Sequence, residues 1–309
     1  MLFHQKKPDS WYYYYVITLS VLTPVVLMDE KHIQEFWNAY PCDKAKVDRP
    51  EHDYEEFFKR CDELRYKQER HILKRLDAID FRGKRVLEIG LGLGADSEQI
   101  IRRGAVWSGL DLTPESVALV TKRLSLRDLP YECIKVGSVC ELPFEEDTFD
   151  IIFSHGVLHH VPHINKAQAE IFRVLKPKGL LVVMLYAKYS LNYLVSIYFL
   201  RRAALAMLYL LRIKAKGIIA QHLENARKVG LFQYLRMKNF IHRNTDGPLN
   251  PYSKVYDRKK VKEDFPKFEI IKVHKEFMHA PPLPVFWMPF ASLLGWHLWV
   301  EMMPIQKDS

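Results

Sequence analysis

The sequence predicts an α/β fold: one mostly parallel sheet of seven strands, with helices on both faces. Three observations predict it. Strand-like and helix-like segments alternate between residues 85 and 187, the signature of a parallel sheet with helical crossovers. A glycine-rich turn, Gly90-Leu91-Gly92-Leu93-Gly94, follows an apolar run and precedes a helical pattern. The chain has 309 residues, 48% hydrophobic and 27% charged, which suits one large globular core with an added segment.

The elements follow in order. Residues 29–80 are charged and carry apolar positions at helical spacing, so they form an N-terminal helical segment. Residues 81–84, FRGK, make a turn. RVLEIG is a strand, and the helix after it ends at Gly104. AVWSGLDL is a strand; Thr113 caps the next helix and Pro114 takes its first position. YECIKVG and FDIIFSH are strands, NKAQAEIFRVL a helix, KPKG a turn and LLVVMLYA a strand. The alternation then stops. Residues 188–254 read as an apolar, basic, helical cap inserted into the sheet domain, which spans 81–187 and 255–305. DRKKVKEDF resumes as a helix, and FEIIKVHKEF and GWHLWVEMM as the last two strands. Such a cap stands over the C-terminal edge of the sheet, where ligands of these folds bind.

Charge is concentrated rather than spread. Lys188 to Lys262 holds 16 lysines and arginines against three acids, a net of +13; the whole chain is +9, so the remainder is −4. A surface of that kind is either a solvated helix face or one that meets an anionic partner. Three apolar stretches raise the question of a membrane. Residues 10–28 are uncharged and near the ~20 residues a span requires, but they contain four tyrosines and Pro24. Their flanking charges would send the rest of the chain out of the cytoplasm. Residues 1–28 therefore read as an apolar leader or a misplaced start, with Met28 as the alternative first residue. The second stretch, SLNYLVSIYFLRRAALAMLYLLRIK, is interrupted by Arg201 and Arg202, leaving two halves each too short to span. It packs as a cap helix or lies on an anionic membrane surface. The third, PPLPVFWMPFASLLGWHLWV, reads as a loop and a final strand. Cys42, Cys61, Cys133 and Cys140 form no CxxC pair and no zinc spacing, which points to a reduced, cytoplasmic protein with membrane association as an option.

The glycine turn admits two ligands. Gly90-x-Gly92-x-x-Ala95 fits a loose dinucleotide pattern, with Asp111 placed to hold a ribose. S-adenosylmethionine (SAM) would use the same two features. Four segments decide between them: EIGLGLG (Glu88–Gly94), GLDLT (Gly109–Thr113), VGSVCELPFEEDTFDIIFSHGVLHHV (Val136–Val161) and IFRVLKPKGLLVVM (Ile171–Met184). Their order and spacing resemble the class I SAM-dependent methyltransferases, in the small-molecule branch with the ubiquinone-biosynthesis-like pattern. The resemblance covers residues 84–187 and implies a Rossmann-like sheet with SAM as cofactor. It implies that Gly90, Gly92 and Gly94 clear side-chain bulk from the cofactor's path, and that Glu88 accepts from its ammonium group. Asp111 would hold the ribose diol and Leu112 would pack on the adenine. The family often has an acid after the third strand, for the adenine amino group. This chain has Ser138 there, with Val139 next, and Ser154 at the end of the fourth strand.

Methyl transfer needs alignment and a base for the acceptor's proton. His155 ends the strand nearest the expected methyl position and is the catalytic candidate; His159, His160, His163 and His242 are the other histidines considered. The HGVLHHVPH run reads as local packing rather than a metal centre, so no metal is expected. No NPPY-type motif follows the fourth strand; SHGV stands there. The acceptor is therefore expected to be oxygen or carbon of a small, acidic or lipid-like metabolite. Phe36, Trp37 and Tyr40 could close over the ligand or pack in the core. His242, Arg243, Asp246, Asn250 and Tyr252, in a polar segment with two turn signals, are read as further substrate-lining groups or an ordinary loop. Two alternatives stand beside the enzyme reading: a SAM-fold protein that binds without catalysing, and an RNA methyltransferase using the basic cap. No nucleic-acid module is recognisable, and the oligomeric state is not fixed by the sequence.

Overall fold

A computed structural model describes residues 30–40 and 53–305. Cys42 and the apolar segment 1–28 lie outside the described residues. The N-terminal helices are α1 (Glu30–Ala39), α2 (Tyr54–Gln68) and α3 (His71–Asp77). Asp53 caps α2, accepting from the Glu56 amide at 3.0 Å. The sheet then unfolds in sequence as β1 (Arg85–Ile89), α4 (Ala95–Arg102), β2 (Val106–Asp111), α5 (Pro114–Leu126), β3 (Cys133–Val136), β4 (Phe149–His155), α6 (Ile164–Val174) and β5 (Leu175–Tyr186). Thr113 caps α5 by accepting from the Ser116 amide at 3.3 Å, with Pro114 in the first turn. Gly104 closes α4 at φ +85°.

The seven strands lie in the order β3-β2-β1-β4-β5-β7-β6, completed by β6 (Phe268–Glu276) and β7 (His297–Pro304). β1 to β5 run parallel, and β7 is inserted antiparallel between β5 and β6. Chain direction along the sheet reverses between β1 and β4, which opens a crevice at their C-terminal ends. Lys176–Gly179, expected as a turn, is absorbed into β5: Phe149 pairs with Leu175 but Ile151 pairs with Leu180, so the turn survives as an irregularity in the strand.

Two apolar cores sandwich the sheet. One holds Leu87, Ile152, Ile171, Leu181 and Val300; the other holds Val86, Ile100, Trp107, Val120 and Phe153. A third core belongs to the cap, around Ile197, Leu205, Leu223, Tyr234 and Phe240, and reaches the sheet edge through Trp296. The cap begins with helix α7, π-wound over Asn192–Arg201 and α-helical over Arg202–Leu210, followed by α8 (Gly217–Val229). The arginine pair divides the apolar run but not the helix, which is continuous from Asn192 to Leu210 and is the one described helix long and apolar enough to cross a membrane by length and composition. Arg201 is tolerated because it folds inward. Its Nε donates to the Pro281 carbonyl at 3.0 Å and its Nη1 to the Asn244 carbonyl at 2.7 Å, which satisfies the buried cation.

Candidate active site

The crevice is one cleft floored by the β1–α4 turn and walled by β2, β4 and helix α1. Gly90, Gly92 and Gly94 all take left-handed backbone, at φ +81°, +53° and +78°. A Cβ on Gly90 would lie 2.1 Å from Val157 Cγ2, so backbone and β4 loop approach closely only because the side chain is missing. A buried ion knot sets the turn. Arg123 from α5 is 1% exposed, bonds Glu98 at 2.9 Å, pairs with Asp62 of α2, and donates to the Leu93 carbonyl at 3.2 Å.

Asp111, at the tip of β2, faces this cleft with both oxygens engaged. Oδ2 accepts from the Leu91 amide at 2.7 Å; Oδ1 accepts from the Thr113 amide at 2.8 Å and its hydroxyl at 2.7 Å. Burial nevertheless raises its proton affinity, outweighing the bonds from Thr113, Leu91 and Gly92. Thr113 fills both lone pairs of Oδ1, so a diol bonding to that oxygen would have to displace the Thr113 hydroxyl, while Oδ2 accepts from Leu91. Leu112 lines the same wall, and its carbonyl accepts from Gln34 of α1 at 2.6 Å.

Glu88 is buried at the floor, its Oε2 accepting from Trp107 Nε1 at 2.9 Å. Burial, with the neighbouring Asp96 charge, pushes its carboxyl up to about 8. Asp96 goes the other way. Burial works against its charge, but the Arg65 guanidinium (2.7 Å) and His155 (2.7 Å) hold it well below the usual carboxylate range. His155 Nδ1 lies 2.7 Å from Asp96 Oδ2 and 3.0 Å from the Arg65 guanidinium, and the two contacts hold the ring in place. Thus the two acids Glu88 and Asp96, both lining the cleft, are set apart by their partners.

Ser138 and Val139 line the far end. The Ser138 hydroxyl donates to Glu30 Oε1 at 2.6 Å. The carboxylate that the sequence lacks after the third strand therefore arrives from α1. Sequence reasoning missed Glu30, and a contact 108 residues apart leaves no local signal. Trp37, also from α1, meets the His160 ring at 5.0 Å, edge to face, and both line the cleft.

Several expected site residues lie elsewhere. Ser154 is fully buried and donates to the Ile89 carbonyl at 3.1 Å; strand alternation turns it into the sheet rather than the cleft. Tyr40 is exposed and packs on Phe36. His242, Arg243, Asn250 and Tyr252 do not line the cleft. They close on one another: His242 Nδ1 accepts from the Ser253 amide at 2.9 Å, Asn250 Nδ2 donates to Ser253 Oγ at 2.8 Å, and Arg243 donates to the Asn239 carbonyl at 3.0 Å. The polar density that suggested a pocket is the satisfaction of this buried segment. Asp246 comes nearest: it accepts from the Tyr186 hydroxyl at 2.7 Å and lies 3.4 Å from His160 Nε2, behind the cleft wall.

Glu69, His155 and His297 bring donor atoms within 4.8 Å of one another. The Arg65 guanidinium, 3.0 Å from His155 Nδ1, opposes a cation there.

This sheet order brings the glycine turn and two strand acids, Glu88 and Asp111, to one crevice. Residues 87–183 match the family model described as "Methyltransferase domain". Over 103 residues the chain is 35% identical to a phthiotriol/phenolphthiotriol dimycocerosates methyltransferase of Mycobacterium leprae, covering 33% of this chain and 37% of that one. Over 153 residues it is 34% identical to a ubiquinone biosynthesis O-methyltransferase of Neisseria meningitidis, covering 46% and 60%. These matches span less than two thirds of either relative's length. A SAM-dependent methyltransferase from Aquifex aeolicus aligns over 82% of this chain and 99% of its own, at 15% identity and a TM-score of 0.48.

Proposed function

We propose that the chain transfers a methyl group from SAM to an oxygen, or an activated carbon, of a small lipid-like metabolite. One observation carries this reading: Glu88, the glycine turn, Asp111, Leu112, Ser138 and His155 line a single cleft. Bound SAM supplies an electrophilic methyl group on a sulfonium. Asp111 would accept from the ribose diol, Leu112 and Val139 would flank the adenine, and Glu30 with Ser138 would receive its amino group. Glu88, its carboxyl held largely protonated by burial, would ionise against the ammonium group. His155, its ring held through Nδ1 by Asp96 and Arg65, would take the acceptor's proton at Nε2 as the acceptor bonds to the methyl carbon and the carbon–sulfur bond of the sulfonium breaks, leaving a neutral thioether. Trp37 and His160 bound the space left for the acceptor. The acceptors named for the two curated relatives, phthiotriol dimycocerosates and ubiquinone precursors, favour a lipid-like molecule over an RNA. Neither the purely binding reading nor the RNA reading is favoured by a specific contact.

The test is incubation of the purified chain with methyl-labelled SAM and fractionated cell extracts. Label should enter a lipid-soluble fraction. His155→Ala should lose turnover and keep SAM affinity, while Asp111→Ala should lose affinity. Absence of any SAM-binding heat would leave only the fold, and label appearing solely in RNA would replace the acceptor class.

A further inference from the structure

The cap carries a surface that methyl transfer does not use. Helix Asn192–Leu210 has mean hydropathy 1.3, yet only 17% of its apolar window is buried. Its inner row is fixed to the protein: Asn192, Ser196, Ile197 and Leu205 are buried. Ser196 and Arg201 both donate to the Pro281 carbonyl. The helix therefore lies flat along the fold. Its outer row faces solvent, with Phe199 62%, Leu210 71% and Leu211 64% exposed. A second apolar segment lies beside it. Leu191, Leu283 and Leu294 all pack on the small cluster of Met278, Ala280 and Val285, and the 283–294 loop exposes Phe286 at 78% and Trp287 at 72%. Single exposed apolar residues are ordinary, but a contiguous set marks an interaction site.

Charge identifies the occupant. Residues 188–245 contain eleven lysines and arginines and one acid, Glu224, which is paired with Lys228 at 2.8 Å. Arg212, Lys214 and Lys216 follow the apolar helix and are exposed, and the Arg202 guanidinium lies over the Tyr198 ring. A second copy of the chain would bring two such basic faces together, which like-charge repulsion opposes. Residues 10–28 of the same chain are apolar but carry no acid. A nucleic acid would satisfy the cations and leave the apolar row in water. An anionic lipid leaflet satisfies both, with aromatic and aliphatic side chains at the acyl boundary and cations at the headgroups.

We propose that the outer face of helix Asn192–Leu210, with the 283–294 loop, docks peripherally on a bilayer containing anionic lipid. Arg201, considered for this role from sequence, is turned inward; Arg212, Lys214 and Lys216 take it. The proposal stands on the surface alone and is tested without SAM, so its failure and that of the methyl-transfer reading are separable.

The experiment is co-sedimentation of the full chain with phosphatidylcholine vesicles, with and without phosphatidylglycerol. Binding should be at least tenfold tighter with phosphatidylglycerol and weaken as salt rises. Replacing Arg212, Lys214 and Lys216 together by serine should weaken it by about a hundredfold, with thermal melting unchanged. Phe199→Ser should weaken it by about tenfold. A local readout separates this face from any contribution of residues 1–28: brominated acyl chains should quench tryptophan emission, and Trp287→Phe should remove most of that quenching. Equal binding to neutral and anionic vesicles would overturn the proposal. So would binding that persists with Trp287 unquenched, or self-association that buries Phe199.

Discussion

Glu88 gives the sharpest quantitative prediction. Its carboxyl is buried against Trp107 with its pKa raised from 4.5 to about 8. At ~1.4 kcal/mol for each tenfold change in proton affinity, burial makes its ionisation on the order of 5 kcal/mol harder than that of a solvated carboxyl. At pH 7 it is therefore mostly protonated. If the ammonium group of SAM lies against it, binding must expel most of that proton. Asp96 cannot contribute, because Arg65 and His155 already hold it ionised. The assay is calorimetric titration with SAM at pH 7 in two buffers of different ionisation enthalpy. The buffer dependence should report net proton release for the wild type, and Glu88→Gln should abolish it. Glu88→Gln should also weaken SAM by about ten- to a hundredfold, the loss of a charge-assisted bond. The same shift carries a stability consequence without ligand. The folded pKa is raised, so the stability present below about pH 4.5 is lost as pH rises through about 8. Glu88→Gln should flatten that slope in urea titrations. Identical buffer dependence in wild type and variant would refute the placement of the ammonium group.

Other consequences follow from the site's construction. Gly90→Ala, at φ +81° with a Cβ 2.1 Å from Val157, should lower the melting temperature more than Gly83→Ala and weaken SAM at least tenfold. Gly83 has φ +66° and open space around it, so equal effects at the two positions would remove steric contact as the cause. Arg123→Met leaves Glu98 and Asp62 without their buried partner and should cost ~3–5 kcal/mol in urea unfolding. A loss below ~1 kcal/mol would mean that Arg127, also paired with both acids, suffices. Ser154→Ala should cost ~1 kcal/mol of stability and leave SAM affinity as it is, whereas a raised dissociation constant would return Ser154 to the cleft.

The sequence by itself determined the sheet, the position of the cleft and many of the residues that line it. Thr113 and Pro114, the glycines at 90, 92 and 94, and Asp111 at the end of an apolar strand are local signals. Their physics (a cap, left-handed backbone, a strand terminus) acts within a few residues. The tertiary structure alone decided what depends on distant partners. Glu30 reaches Ser138 across 108 residues, and Arg65 and Asp96 reach His155 across 90 and 59. The polar segment 242–252 shows the reverse error. Its composition resembles a ligand-binding loop, but its groups satisfy each other inside the cap. Arg201 and Arg202 likewise divide an apolar run in a linear count of charge, and where their charges go is not written in that count. Two carbonyls, from Pro281 and Asn244, take the Arg201 guanidinium and keep the helix whole. Backbone conformation is written in neighbouring residues, but the partner that neutralises a charge or fills a hydrogen bond is chosen only when the chain folds back on itself.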